Sequence, residues 1–140
     1  MPTSLRWFLP ILILLVILYA VVPILMIVNP EFLRNVIIQS EPAISNKDIK
    51  FVVNIVGIFV AGIHALFIGL SIWLTTMIFK RRKWARIVLT FLLVIATLGS
   101  FASWTAGPAF YGIIIATNIV HTILVGLLWI PRSVSNFFTN

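Results

Sequence analysis

Four long uncharged apolar runs fix what this chain can become. They cover Trp7–Val28, Phe51–Phe79, Ile87–Ala106 and Ala109–Ile130. A helix rises about 1.5 Å per residue, so each run can cross the ~30 Å hydrocarbon core of a bilayer. Hydrophobic residues make up 61% of the sequence and charged residues 9%. A soluble domain could not hide that much apolar surface. The expectation is an all-α integral membrane four-helix bundle, one transmembrane domain over residues 1–140, with spans at about 7–28, 50–79, 87–106 and 109–130. The first run is read as a retained span rather than a cleaved signal peptide, whose apolar core would be shorter and followed by a small-residue cleavage site.

Charge sets the threading. Lys80, Arg81, Arg82, Lys83 and Arg86 cluster between the second and third runs with no acid beside them. Such loops lie in the cytoplasm. With that loop inside, Arg6 and Arg132 are inside too, giving seven cations and no anions on that face. Glu31, Arg34, Glu41, Lys47, Asp48 and Lys50 fall on the other face and cancel. Both termini are then cytoplasmic and residues 29–50 are outside. The five loop cations are expected to contact anionic lipid, where each is worth about 1 kcal/mol. A phosphoinositide or nucleotide site is the sharper reading and a topology signal the plainer one. No nucleic-acid motif accompanies the charge.

The segments between the runs carry local signals. Asn29-Pro30-Glu31 reads as a helix start, with Asn as cap, Pro at the first position and an acid in the first turn. Phe32, Leu33, Val36 and Ile37 then share one face, so residues 30–40 are expected to form a short amphipathic helix in the outer interface. Ser45-Asn46-Lys47-Asp48 fits a capping box ahead of the second span. Gly107-Pro108 marks a tight turn. Pro10 is placed in the first turn of the first span and Pro23 deeper, where it should kink the helix. Pro131-Arg132 ends the last span, and residues 133–140 form a tail with Phe137 and Phe138 on the interface. Trp7, Trp73, Trp84 and Trp129 all fall near the cytoplasmic boundary, which suits their amphipathic rings.

Small and polar residues nominate the faces that meet protein. Gly57, Ala61, Ala65 and Gly69 recur every four residues along the second span. Ala96, Ser100 and Ser103 do nearly the same on the third. Such rows let helices approach closely, and both are expected to be association faces that meet another span of this chain or a partner helix, with Phe59 and Phe67 on the opposite, lipid-facing side. The segment Ile63-His64-Ala65-Leu66-Phe67-Ile68-Gly69-Leu70 also resembles Val120-His121-Thr122-Ile123-Leu124-Val125-Gly126-Leu127. Arg6-Trp7 matches Lys83-Trp84 more weakly. Two hairpins related by a pseudo-two-fold axis along the membrane normal would explain this, as would chance matching among apolar residues.

His64 and His121 lie near the middle of their spans, and intramembrane ionisable groups are functional candidates. Three readings stand. They could be axial ligands of a b-type haem, part of a proton or quinone site, or neutral rings hydrogen-bonded across helices to Asn54, Asn118, Ser100 or Ser103. Catalytic chemistry lacks parts. No carboxylate lies in any apolar run to complete a nucleophile triad, there is no cysteine, and two histidines are too few ligands for metal hydrolysis. No metal site and no enzyme activity are expected.

Two stretches carry a family likeness. Arg82-Lys83-Trp84-Ala85-Arg86-Ile87-Val88-Leu89-Thr90 resembles the R-x-W-A-R-x-x-L-T segment of small four-span actinobacterial membrane proteins of unassigned function. The ending Trp129-Ile130-Pro131-Arg132-Ser133-Val134-Ser135-Asn136-Phe137-Phe138 is similar to theirs. The resemblance implies a bacterial plasma membrane and carries over no functional residue. The expected role is a non-catalytic accessory, assembly or regulatory subunit of a larger membrane complex, of respiratory or cell-envelope machinery. The alternatives are a haem or quinone electron-transfer subunit and an oligomeric small-molecule transporter. The threading is checked with cysteines placed at Ser4, Ser45 and Ser135. Only Ser45→Cys should react with an impermeant thiol reagent from outside intact cells; external labelling at position 135 would mean an odd number of spans.

Overall fold

The computed structural model describes residues 2–139 and is helical throughout the expected spans. Six α-helices run in order among the described residues: α1 (Thr3–Val28), α2 (Pro30–Ser40), α3 (Asn46–Phe79), α4 (Lys83–Ala102), α5 (Tyr111–Trp129) and α6 (Arg132–Phe137). Two short 3₁₀ turns, Ser103–Ala106 and Pro108–Phe110, join α4 to α5. The helices α1, α3, α4 and α5 are long and apolar enough to cross a membrane, and the chain is a multi-pass membrane protein. Met1 and Asn140 lie outside the described residues.

Local chemistry explains the boundaries. The Asn29 side chain accepts from the Phe32 amide at 3.3 Å and Pro30 opens α2. Ser45 Oγ accepts from the Asp48 amide at 3.2 Å at the start of α3. Each cap satisfies one of the orphan donors of a helix N-terminus. Gly107 has φ +109°, a backbone conformation that side chains strain to adopt, and it makes the turn before Pro108. The first helix begins at Thr3, earlier than the apolar run, so Pro10 lies inside it and not in its first turn.

The four spans form a ring in which α1 packs beside α3 and α5, and α4 packs beside the same two. Leu5, Phe8, Leu12, Leu15, Leu74, Ile78, Leu89, Leu93, Leu124 and Leu128 fill the half of the bundle nearest the basic loop. The residues after Pro131 are not a loose tail. They form α6, and Val134 and Phe138 are buried in that same core. At the other end α2 packs on α3, with Leu33 and Ile37 buried against Ile49.

The small-residue row on α3 packs within the chain only at its start. Gly57 lies near Leu33, but Ala65 is exposed and a Cβ built on Gly69 meets nothing within 4 Å. Steps of four residues advance 400° and so drift about 40° each around a 3.6-residue helix. The row that starts inward at Gly57 has turned outward by Gly69. The packed stripe instead runs through Phe67, Ser71, Leu74 and Ile78, with Ser71 fully buried. Phe67 therefore faces protein and not lipid, and its ring meets Tyr19 edge-on at 6.0 Å. Phe59 is exposed, as expected.

Phe8→Ala should cost roughly 3–5 kcal/mol, the scale of emptying a packed aromatic site. Phe59→Leu should cost little. Thermal unfolding in mild detergent reads both, and equal losses would mean that the packed end is wrongly placed.

Candidate functional site

The bundle's interior polar groups gather at one level, where the packed half ends. His121 on α5 is buried, with 2% of its surface exposed. Its Nε2 lies 2.6 Å from the Tyr19 hydroxyl of α1 and its Nδ1 lies 2.8 Å from Thr97 Oγ1 of α4. A neutral imidazole donates through one nitrogen and accepts through the other. One hydroxyl thus donates to the ring and the other accepts from it, and neither nitrogen is left over.

This bond is one rung of a ladder between α4 and α5. Towards the basic end, Trp129 Nε1 donates to Thr90 Oγ1 at 2.8 Å. Away from it, Asn118 Nδ2 donates to Ser100 Oγ at 2.9 Å, and Ser100 Oγ donates to the Thr97 carbonyl at 2.7 Å. Two turns from Thr90 to Thr97 are matched by two turns from Trp129 back to His121. One more turn reaches Ser100 and Asn118, the register of an antiparallel hairpin.

His64 is placed differently. Its Nδ1 donates to its own helix's Val60 carbonyl at 2.8 Å. It touches the rest of the group only through an edge-on contact with the Tyr19 ring, at a centroid distance of 6.0 Å. The histidine partners expected from sequence were Asn54, Asn118, Ser100 and Ser103. The structure gives none of these roles. Asn54 and Ser103 are exposed, and Asn118 pairs with Ser100. The partners that sequence reasoning missed are Tyr19 and Thr97. Both are hydroxyl residues near the middle of other spans, the depth at which an imidazole's partners had to lie. From the third-span row, Ala96 packs on the core and Ser100 joins the ladder.

The arrangement does not fit haem. Two axial histidines would need to face each other across a flat macrocycle with a nitrogen each for the iron. Tyr19 fills that interval, its ring edge-on to His64 and, at 5.7 Å, to His121. Both His121 nitrogens are already bonded. Among the described residues no group of three or more His, Cys, Asp or Glu is placed to hold a metal ion.

Beyond the polar level, away from the basic loop, the bundle opens into a cavity of about 600 Å³. Tyr19, His64, Phe67 and His121 form its floor, and Leu33, Val36 and Ile37 of α2 border its far end. Its walls are almost wholly apolar, and among the described residues no charged one lines it.

At the basic end, two of the cations expected to meet lipid also stack on aromatic rings of the chain. The Arg86 guanidinium lies over the Trp129 ring at 3.7 Å and near Phe138 at 5.5 Å. Arg81 lies over Phe137 at 4.8 Å. A guanidinium is weakly hydrated and stacks well on an aromatic face, so these cations fasten α6 to the loop. Lys80, Arg81, Arg82 and Lys83 are all exposed.

Comparison with known proteins finds no matching family model, no matching curated sequence and no matching solved structure.

His121→Ala should lower stability by more than His64→Ala, because it unpairs two spans and His64 only loses a bond within its own helix. Tyr19→Phe and Thr97→Val should each cost on the order of 1 kcal/mol. Thermal unfolding in detergent measures all four. A larger loss for His64→Ala would contradict the assignment.

Proposed function

We propose that this chain is a non-catalytic accessory subunit of a larger assembly in a bacterial plasma membrane, with the basic loop and both chain ends on the cytoplasmic side. The observation that carries this reading is the condition of α3. It is the longest span, 34 residues, yet no residue of its most hydrophobic eighteen-residue stretch is fully buried in the chain. That helix nevertheless carries Asn54, Gly62, Ala65 and Gly69 on exposed positions. Lipid gains little from a bare helix backbone, and an amide in hydrocarbon seeks a partner. Another helix gains from both, because membrane association depends on close backbone approach and interhelical hydrogen bonds.

Catalysis finds no support in the interior. The His121 nitrogens, Tyr19 and Ser100 are engaged with one another or with backbone, and no carboxylate lines the cavity. The occupant proposed for the α3 face is a transmembrane helix of a different polypeptide. A photoreactive residue at position 65, activated in native membranes, should crosslink to another membrane protein, and Ala65→Ile should abolish the co-purification of that protein. Crosslinks to lipid alone, or to a second copy alone, would overturn the reading.

A further inference from the structure

We propose that the cavity beside α2 binds one neutral lipid alcohol, seated with its hydroxyl on His64 Nε2 and its apolar chain running toward α2. The site stands on the cavity alone, so it can fail without touching the α3 face, and the reverse.

Size and lining define the ligand. The volume of about 600 Å³ falls in the range of small-molecule sites, roughly 300–1,000 Å³. From Leu18 to Met26, both lining residues of α1, the cavity extends about 12 Å along the helix. Val22, Phe59, Ile63 and Ile113 are typical of its walls. An apolar space of this kind excludes water and takes apolar guests. With no charged residue in the lining, a phosphate, carboxylate or ammonium head would be desolvated without a partner.

The floor selects the head group. A carbonyl oxygen only accepts, so the bond from His64 to Val60 places the proton on Nδ1. In the neutral ring Nε2 is then an acceptor. It makes no hydrogen bond among the described residues, and His64 lines the cavity. The neighbouring hydroxyls are committed, Tyr19 to His121 and Ser100 to the Thr97 carbonyl. The group that completes the site must donate a hydrogen bond. A hydroxyl does so, whereas an ether, an ester or a ketone does not.

Gly99 offers a test that leaves the fold in place. It lines the cavity, and a Cβ added there meets no atom within 4 Å. Gly99 is an exposed position at the cavity's edge, so Gly99→Leu adds bulk at the cavity mouth without pressing on the bundle, and it removes a glycine from a helix interior.

The experiment uses the full chain in phosphatidylcholine nanodiscs and a twelve-carbon alcohol carrying a diazirine in its chain. Irradiation should label cavity residues that are shielded from the outer surface, such as Val22, Val60 and Ile113. 1-Dodecanol should compete for this labelling about tenfold better than its methyl ether, the usual worth of one hydrogen bond in a closed site. His64→Ala should erase that preference. Gly99→Leu should abolish labelling while the thermal midpoint holds. Farnesol run beside 1-dodecanol tells an isoprenoid source from a saturated one, and competition by either supports the site. Equal competition by alcohol and ether on the unaltered protein, labels spread over the outer surface, or unchanged labelling of Gly99→Leu would each overturn it.

Discussion

An imidazole buried among apolar helices must find a partner for each nitrogen, and His121 finds them on two other spans. Tyr19 approaches from α1 and Thr97 from α4. Hydrocarbon offers no water to stand in for either. This fixes the rotation and depth of three helices at once. The ladder from Trp129 and Thr90 to Asn118 and Ser100 extends the same register along α4 and α5. On the basic side of this level the helices close around leucines and Phe8. On the other side they part, and the cavity lies where they part.

The two histidines show how one sequence pattern can yield two environments. If Arg6-Trp7 is matched with Lys83-Trp84, the counterpart of Tyr19 is Ala96 and that of Thr97 is Ala20. Neither alanine can bond a histidine. His64 therefore lacks the two hydroxyls that hold His121. It turns to the Val60 carbonyl of its own helix and leaves Nε2 toward the cavity. The ring of spans, in which α1 stands opposite α4 and α3 opposite α5, is compatible with a pseudo-two-fold axis. The polar site does not obey that axis. One histidine ties the bundle together, and the other stays available.

Much of the fold was legible because it depends on near neighbours in sequence. The spans follow from uncharged length, and the starts of α2 and α3 follow from Asn29 and Ser45, which bond residues three positions on. Gly107 is legible as the turn that needs its backbone freedom. What was not legible is rotation. The row Gly57, Ala61, Ala65 and Gly69 looks like a single face when counted in fours, but it winds off the packed side before it ends. The partners of His121 lie on other helices, 102 and 24 residues away, and many hydroxyls could have served. The docking of α6 depends on Arg81 and Arg86 meeting Phe137 and Phe138, more than fifty residues further along the chain, and charge counting does not show such contacts.

The hydrogen-bonded state of the His121 ring is the most direct observable. With nitrogen-15 histidine in lipid bilayers, solid-state NMR separates Nδ1 from Nε2 by their chemical shifts. The geometry requires one protonated and one bare nitrogen in the neutral ring, both hydrogen-bonded. Tyr19→Phe should then shift the Nε2 signal of His121 and leave Nδ1 nearly in place, and Thr97→Val should do the reverse. If neither substitution moves a His121 signal, the three spans are not joined through that ring, and the cavity beside it loses the floor on which its chemistry depends.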